Sequence, residues 1–445
     1  MKLFGTDGIR GKYGVFPLDN STVRKIGAAI SEIYTQRISK FFIAHDGRSS
    51  YKTIYEELLK GILSSKNYEI IFLDLLPTPS LSYILSERVK NNAMGIQITA
   101  SHNPYTDNGL KIFNSNGYKI SLSEEKRIQE KLESIDNVNN KISISTIKDQ
   151  KYIDKYINYL SNYSNKYLDG SKSLNIAIDC ANGALSKVIK SIKLPPNISL
   201  TIFNDEPNGK NINDKCGAVY PEYLSKVIIQ NNKNITSSDS EWIDFGMTFD
   251  GDGDRSLLIS ESGRIIDGDE ILFILSNNCN EKILVGTSMT NFGIRMSLEK
   301  IGHKFVETDV GDKYVLDAIL NNNAFMGSES SGHVIHTDAC KIPVGDAIIT
   351  LVKIIHALRF NDMSIDKIYP KSLKVPSKLI NIQTSNPKEF INNNCLNFKK
   401  LEALLSENGR IFVRESGTQS MVRILIEHKS LATLENAEKI IESII

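Results

Sequence analysis

Apolar residues recur along this chain in two alternating rhythms, and the alternation predicts layered α/β structure. Across residues 22–34, Val23, Ile26, Ala29, Ile30 and Ile33 share one stripe of a 3.6-residue period behind an Asn20-Ser21 cap, which predicts an amphipathic helix. Short apolar runs at 41–44, 70–73 and 175–179 fall between such stretches and predict strands. The two signals alternate through most of the chain, as they do where helices cover a sheet. The end is ordered differently. Short strands, the alternating run 422–427 among them, precede one closing helix at 431–444 with the stripe Leu434, Ala437, Ile440, Ile441 and Ile444, so a smaller α+β unit is expected there.

At 445 residues the chain exceeds one ordinary core, and roughly two to four domains are expected. Polar stretches near 137–149 and 371–377 look like linkers, and a third boundary follows the acidic loop at Asp250. The expected units are therefore 1–150, 151–255, 256–368 and 369–445. Asparagine clusters at 231–232, 321–323 and 392–394 read as turns. The 53 basic and 52 acidic residues nearly cancel, which argues against a nucleic-acid footprint. Cys180, Cys216, Cys279, Cys340 and Cys395 are odd in number and widely spaced, so neither disulfides nor zinc are indicated, and a reduced cytoplasm is expected. No signal peptide is expected at the start, and no apolar run approaches the about 18 residues that could span a bilayer, so no membrane partner is expected.

The candidate chemistry begins at Ser101. Met94, Ile96 and Ile98 alternate with smaller or polar residues as in a half-buried strand that stops at Ala100, and Asn103-Pro104 then enforces a turn. Two strand-like runs follow, 110–114 and 118–120, joined through Asn116-Gly117, the pair that most readily supplies two positive φ angles. Ser101 is thus expected on an exposed turn at a strand's end, beside His102 and near Lys111, as a hydroxyl that could carry a phosphoryl group. Alone, Ser-His-Asn-Pro is a polar turn and nothing more; its company changes the reading.

That company is three further loops. Asp250, Asp252 and Asp254 alternate with Gly251 and Gly253 before Arg255, and glycine permits the tight backbone that turns three carboxylates onto one hard cation such as Mg2+. An EF-hand calcium loop is the plain alternative, because Glu261 falls at its twelfth position. Arg255 stands where that loop needs glycine, and no helical pattern flanks it. Arg414, Ser416, Gly417, Thr418 and Arg423 combine two guanidinium forks, two hydroxyls and backbone amides in a cradle for a phosphate that is held and not broken. Glu329, Ser331 and His333 share a loop bracketed by Gly327 and Gly332, which suits hydrogen bonding to sugar hydroxyls.

Five motifs in this order, 4–11 (Phe-Gly-Thr-Asp-Gly-Ile-Arg-Gly), 99–104, 179–184, 250–255 and 414–418, give the chain a resemblance to the alpha-D-phosphohexomutase superfamily over essentially its full length. The stretches 211–217 and 310–316 resemble its aminosugar branch. The resemblance implies three α/β domains with mixed sheets flanked by helices, plus the smaller C-terminal α+β domain, around a central cleft. It implies a phosphorylated Ser101 with Asp250, Asp252 and Asp254 around Mg2+, and Arg10, Lys111 and Arg255 neutralising the transferring group. His102 and His333 are candidate proton handlers or orienting groups, Glu329 and Ser331 read the sugar, and Arg414, Ser416, Gly417, Thr418 and Arg423 hold the idle phosphate.

The implied reaction interconverts glucosamine 6-phosphate and glucosamine 1-phosphate through a sugar 1,6-bisphosphate, which also serves as activator, and feeds UDP-N-acetylglucosamine and cell-wall precursor synthesis. The small-molecule hexosamine phosphate is then the partner, and a homodimer is left open. Departures at Glu415, Gln419-Ser420, Ser328, Ser330 and 342–347 leave the chemical groups in place but bear on sugar preference. Glu415 is expected to face away from the phosphate, paired with an arginine. Two alternatives follow: the same mechanism on mannose or glucose phosphates, and a non-catalytic sugar-phosphate binder.

Overall fold

The computed structural model of the chain describes residues 3–5, 7–88, 92–136, 138, 145–168, 173–237, 239–277, 282–339, 344–369, 373–415 and 420–444. Four sheets follow one another along it. The first holds β1 (Ile9–Lys12), β2 (Lys40–His45), β3 (Glu69–Leu75), β4 (Ala93–Ile98) and β5 (Asp107–Phe113) in the order β1-β5-β4-β2-β3, parallel through β4-β2-β3 and antiparallel at β5 and β1. Its strands feed two cores, because side chains alternate across a strand: Phe41 and Ile43 join one cluster, Phe42 and Ala44 the other. β4 lies at the centre and is buried at every residue, not half-buried as its alternation suggested, because helices cover both faces. The helix expected from residue 22 spans Asn20–Tyr34, and its cap is Asp19, whose carboxylate accepts from Thr22 N at 3.0 Å. Residues 118–120 form no strand; one bridge, Phe113 to Lys119, is made, and of the Asn116-Gly117 pair only Gly117 takes a positive φ, 83°.

The second sheet repeats the plan with β6 (Leu174–Asp179), β7 (Ile198–Phe203), β8 (Phe245–Phe249), β9 (Ser256–Ser260) and β10 (Ile265–Ile266), ordered β10-β9-β8-β6-β7. It runs past the boundary expected at residue 255, because β8 and β9 form an antiparallel pair around the acidic loop. The third comprises β11 (Ile283–Thr287), β12 (Lys304–Thr308), β13 (Met326–Ser328) and β14 (Val334–His336), ordered β12-β11-β13-β14. The second is parallel through β8-β6-β7 with antiparallel pairing at β9 and β10, and the third is parallel through β12-β11-β13 with antiparallel pairing at β14.

The fourth is antiparallel, β15 (Ser377–Gln383), β16 (Gly409–Glu415) and β17 (Met421–His428) in the order β15-β17-β16. Two helices, Pro387–Asn393 and Cys395–Leu405, intervene after β15, so the strands do not all come first. The closing helix Leu431–Glu442 buries Leu434, Ala437 and Ile441, and a buried leucine or isoleucine contributes about 1.5–3 kcal/mol. The asparagine clusters are helix C-termini more than free turns: Asn232 ends one helix, Asn323 caps another at φ 48° and Asn394 caps a third. Among the described residues no helix is long and apolar enough to cross a membrane.

Candidate active site

Ser101 stands just beyond β4 with φ 52°, left-handed for a residue other than glycine. It is fully buried, where an exposed turn was expected, because the acidic loop of the second sheet lies over it. Its hydroxyl donates to Asp250 Oδ2 at 2.6 Å. The close approach requires Gly251: a Cβ there would stand 2.7 Å from the Ser101 carbonyl oxygen. His102 Nδ1 lies 3.4 Å from Ser101 Oγ.

The acidic loop connects β8 to β9, and strands on both sides rule against the EF-hand, which needs helices. Asp250 Oδ1 accepts from the amides of Gly253 at 3.1 Å and Arg255 at 3.2 Å, which ties the loop into a tight turn. Lys111, fully buried on β5, reaches Asp252 at 2.7 Å, Asp254 at 2.6 Å and Asp7 at 3.1 Å. One ligand oxygen from each of Asp250, Asp252 and Asp254 falls within 4.8 Å of the others. Asp252 Oδ1 and Asp254 Oδ1 are buried with no hydrogen-bond partner among the described residues, which is costly for a carboxylate unless something else approaches it. Burial, then Asp252 and Asp254, push the Asp250 carboxyl well above its ordinary range. Burial would raise Asp254 too, but Lys111, His333 and Lys119 hold it below its ordinary range. Orphaned oxygens, repulsion and an all-oxygen donor set fit a hard divalent cation.

Cations surround this cluster. Arg10, on β1, pairs with Asp7, and Arg255 is largely buried with its Nε unpartnered among the described residues. His102 is pushed down to about 4 by burial and by Arg255 and Arg10, so it is a neutral imidazole near pH 7. His333 Nδ1 lies 3.8 Å from Asp254 Oδ1, and Gly345 leaves room for its ring, since a Cβ there would meet Nε2 at 2.3 Å.

Glu329 is buried, accepts from the Gly311 amide at 3.0 Å and is raised by that burial, whereas Ser331 is exposed at the turn between β13 and β14. Arg414 and Arg423 face one another across β16 and β17. Burial and then Arg423 lower Arg414, and Arg423 Nε is buried without a partner among the described residues: two like charges at one spot, a place for an anion. Ser416, Gly417 and Thr418 lie outside the described residues. Glu415 is exposed, and among the described residues it makes none of the arginine pairs expected of it.

A hollow of about 920 Å³ joins these parts, with Thr78 and Lys119 from the first sheet's unit, Asp254 from the second, Ser288 and His333 from the third and Arg414 from the fourth in its wall. Ser101 and Asp250 are fully buried and do not line it, but Asp250 shares the carboxylate cluster with Asp254, which does. Sequence reasoning missed Lys119, which bridges Asp7 and Asp312 across units, along with Arg48 and Asn213. The run 211–217 had signalled a family branch, and Asn213 inside it reaches the Ser101 carbonyl at 2.8 Å.

Family profiles described as phosphoglucomutase/phosphomannomutase match this chain three times: alpha/beta/alpha domain I at residues 1–139, alpha/beta/alpha domain III at 267–375 and the C-terminal domain at 372–443. The phosphoglucosamine mutase of Ruthia magnifica subsp. Calyptogena magnifica is 32% identical over 449 residues, 98% of each chain. A phosphoglucomutase/phosphomannomutase family protein from Burkholderia thailandensis shares the fold at a TM-score of 0.78 and 20% identity, over 100% of this chain and 96% of that one. Aspergillus fumigatus N-acetylphosphoglucosamine mutase, solved in complex with GlcNAc-6P and magnesium, shares it at 0.64 and 18% identity, over 99% of this chain and 94% of that one. Identity sustained from end to end places the chain in the phosphoglucosamine mutase family of phosphohexomutases.

Proposed function

We propose that the chain interconverts glucosamine 6-phosphate and glucosamine 1-phosphate, with Ser101 carrying the phosphoryl group between turnovers. The observation that carries this is the hydrogen bond of Ser101 Oγ to Asp250, which puts the hydroxyl on a carboxylate cluster that could hold a cation, beside a hollow lined by Asp254 and Arg414. In the forward direction the sugar's anomeric oxygen attacks the phosphorus of phospho-Ser101, the bond from phosphorus to Oγ breaks, and the anomeric hydroxyl's proton passes through a base of the site to the departing Oγ. The resulting 1,6-bisphosphate reverses in the hollow, Oγ attacks its 6-phosphorus as the bond to the sugar's 6-oxygen breaks, the Oγ proton passes to that oxygen, and the 1-phosphate is released. Either phosphate end must be accepted by one clamp, and Arg414 and Arg423 with Ser416, Gly417 and Thr418 are assigned to it. Arg10, Lys111 and Arg255 offset charge on the transferring group, and the imidazole of His102 or of His333 takes the hydroxyl proton. Glu329 and Ser331 read sugar hydroxyls.

Asp250, Asp252, Asp254 and the Ser101 ester would hold Mg2+, which supplies charge neutralisation to the phosphoryl group. The hexosamine 1,6-bisphosphate doubles as the activator that recharges an empty Ser101. A cytoplasmic setting belongs to the same reading, since buried Cys180 and Cys216 are free thiols.

A panel of glucosamine, glucose and mannose 6-phosphates, each assayed with Mg2+ and a trace of the matching bisphosphate, tests the proposal. The highest kcat/KM is expected for glucosamine 6-phosphate. A preference for mannose or glucose, or binding without turnover of any of the three, would overturn it.

A further inference from the structure

We propose that Arg48 and Asn213 are positioning residues that grip the Ser101 backbone from two sides and so aim its oxygen at the sugar instead of at water. The inference rests on the reading of Ser101 as the phosphoryl carrier. Arg48 is completely buried beyond β2, and all five of its N–H groups are used. Nε donates to Asp46 Oδ2 at 2.8 Å, Nη2 to the carbonyls of Ser101 and Asn103 at 2.9 Å each, and Nη1 to the carbonyl of Asp107 at 3.0 Å and to that of Pro104. Asn213, on a loop of the second sheet's unit, donates from Nδ2 to the same two carbonyls, Ser101 at 2.8 Å and Asn103 at 3.1 Å. The other side of the Ser101 residue is held as well: its amide donates to Thr99 Oγ1 at 2.8 Å, and that hydroxyl donates to Asp46 Oδ2 at 2.6 Å.

A buried charge pair needs only Arg48 and Asp46. Two donors from two units converging on the same pair of carbonyls is a different arrangement, because it fixes the peptide plane that follows a left-handed serine. Phosphoryl transfer needs the accepting and donating oxygens in line, and a misplacement of about 1 Å can cost about 100-fold in rate. A lysine at position 48 keeps the charge beside Asp46 but lacks the planar fork that reaches four carbonyls. Asn213 also ties the aim of Ser101 to the seating of the unit that brings Asp250, so carrier and cation site are set together.

The test uses full-length wild type, R48K and N213A, each charged at Ser101 with radiolabelled phosphate from the bisphosphate. Thermal midpoint, KM, kcat and the division of label between sugar and water are measured. Folded variants are expected to keep KM within about threefold, transfer to sugar about 10- to 100-fold more slowly and lose at least ten times more label to water than wild type. If R48K does not fold, N213A decides alone, because it leaves the Arg48 pair intact. Wild-type division of label in a folded variant, or transfer lost only in proportion to folded protein, would overturn the inference. A wild type that never carries label on Ser101 would sink the functional reading instead.

Discussion

Asp250 shows how one side chain ties two distant parts of the chain into a site. One oxygen turns the acidic loop by accepting two of its amides, and the other receives the Ser101 hydroxyl. Buried beside two more carboxylates, it is poorly compensated until a cation arrives. Asp250→Asn is therefore expected to leave the metal-free melting temperature unchanged or higher, to abolish the rise caused by Mg2+, and to cut turnover at least about 1000-fold. Thermal melts with and without Mg2+ check this, and an undiminished Mg2+ effect would contradict it. A second residue gives a pH signature away from the site. His336 is buried and drawn down to about 3 by burial and Lys353, with Nε2 3.1 Å from Thr350 Oγ1. The unfolded chain takes up this proton near 6.5 while the folded one resists, so the stability is fully present above that pH and falls as pH drops toward 3. From pH 7 to 5 the loss is about 2 kcal/mol, and His336→Gln should shrink it in urea titrations at the two pH values. The residue types around Ser101 were legible in the sequence, but its burial was not, because the loop that covers it comes 149 residues later.

At the scale of elements, periodicity found strands such as β2, β3, β4, β5, β6 and β17, because alternation or a short apolar run survives even where both faces are covered, whereas β1, β7 and β11 to β14 went unmarked. It failed at 387–405, where two short helices lie inside a stretch rich in asparagine and lysine and, among the described residues, only Phe398, Leu401 and Leu405 are buried, with Phe390 and Ile391 half-buried against the same core. It also cut the second unit too early, since an acidic loop looks like a linker although it is a hairpin between β8 and β9. Pairing places Arg414 opposite Arg423, a register that no local pattern reveals. Two guanidinium groups so placed repel until an anion lies between them. Arg423→Gln should raise KM for glucosamine 6-phosphate about 10- to 100-fold, the range set by one charged hydrogen bond, with a smaller change in kcat. Steady-state kinetics decide this; an unchanged KM would remove the clamp from this strand pair.

The whole molecule depends on four units meeting around one hollow, and the joint between the last two is polar. Glu427 of β17 is buried, accepts from Asn291 Nδ2 at 3.0 Å and the Phe292 amide at 3.3 Å, and pairs with Arg410 at 2.6 Å; Arg410 also donates to the Thr290 carbonyl at 2.6 Å. Arg410→Ala leaves that carboxylate buried without its cation, a change that costs about 3–5 kcal/mol in buried pairs. The fourth unit should then melt separately and earlier in calorimetry, and the clamp should bind sugar phosphate more weakly. A single wild-type transition would contradict this. The motifs pointed to the chemistry proposed for the hollow, but which residues latch the units, Lys119 to Asp312 and Arg410 to Glu427, depends on how the units dock, and sequence spacing carries none of that.

The most direct test of the account is intact-mass spectrometry of the protein before and after glucosamine 6-phosphate is added. The account predicts one phosphate per chain on Ser101 once bisphosphate has been supplied, its loss to the sugar on mixing, and no adduct in Ser101→Ala. A wild-type chain that interconverts the two glucosamine phosphates without ever carrying that adduct, or an adduct on Ser101 that the sugar never removes, would contradict it.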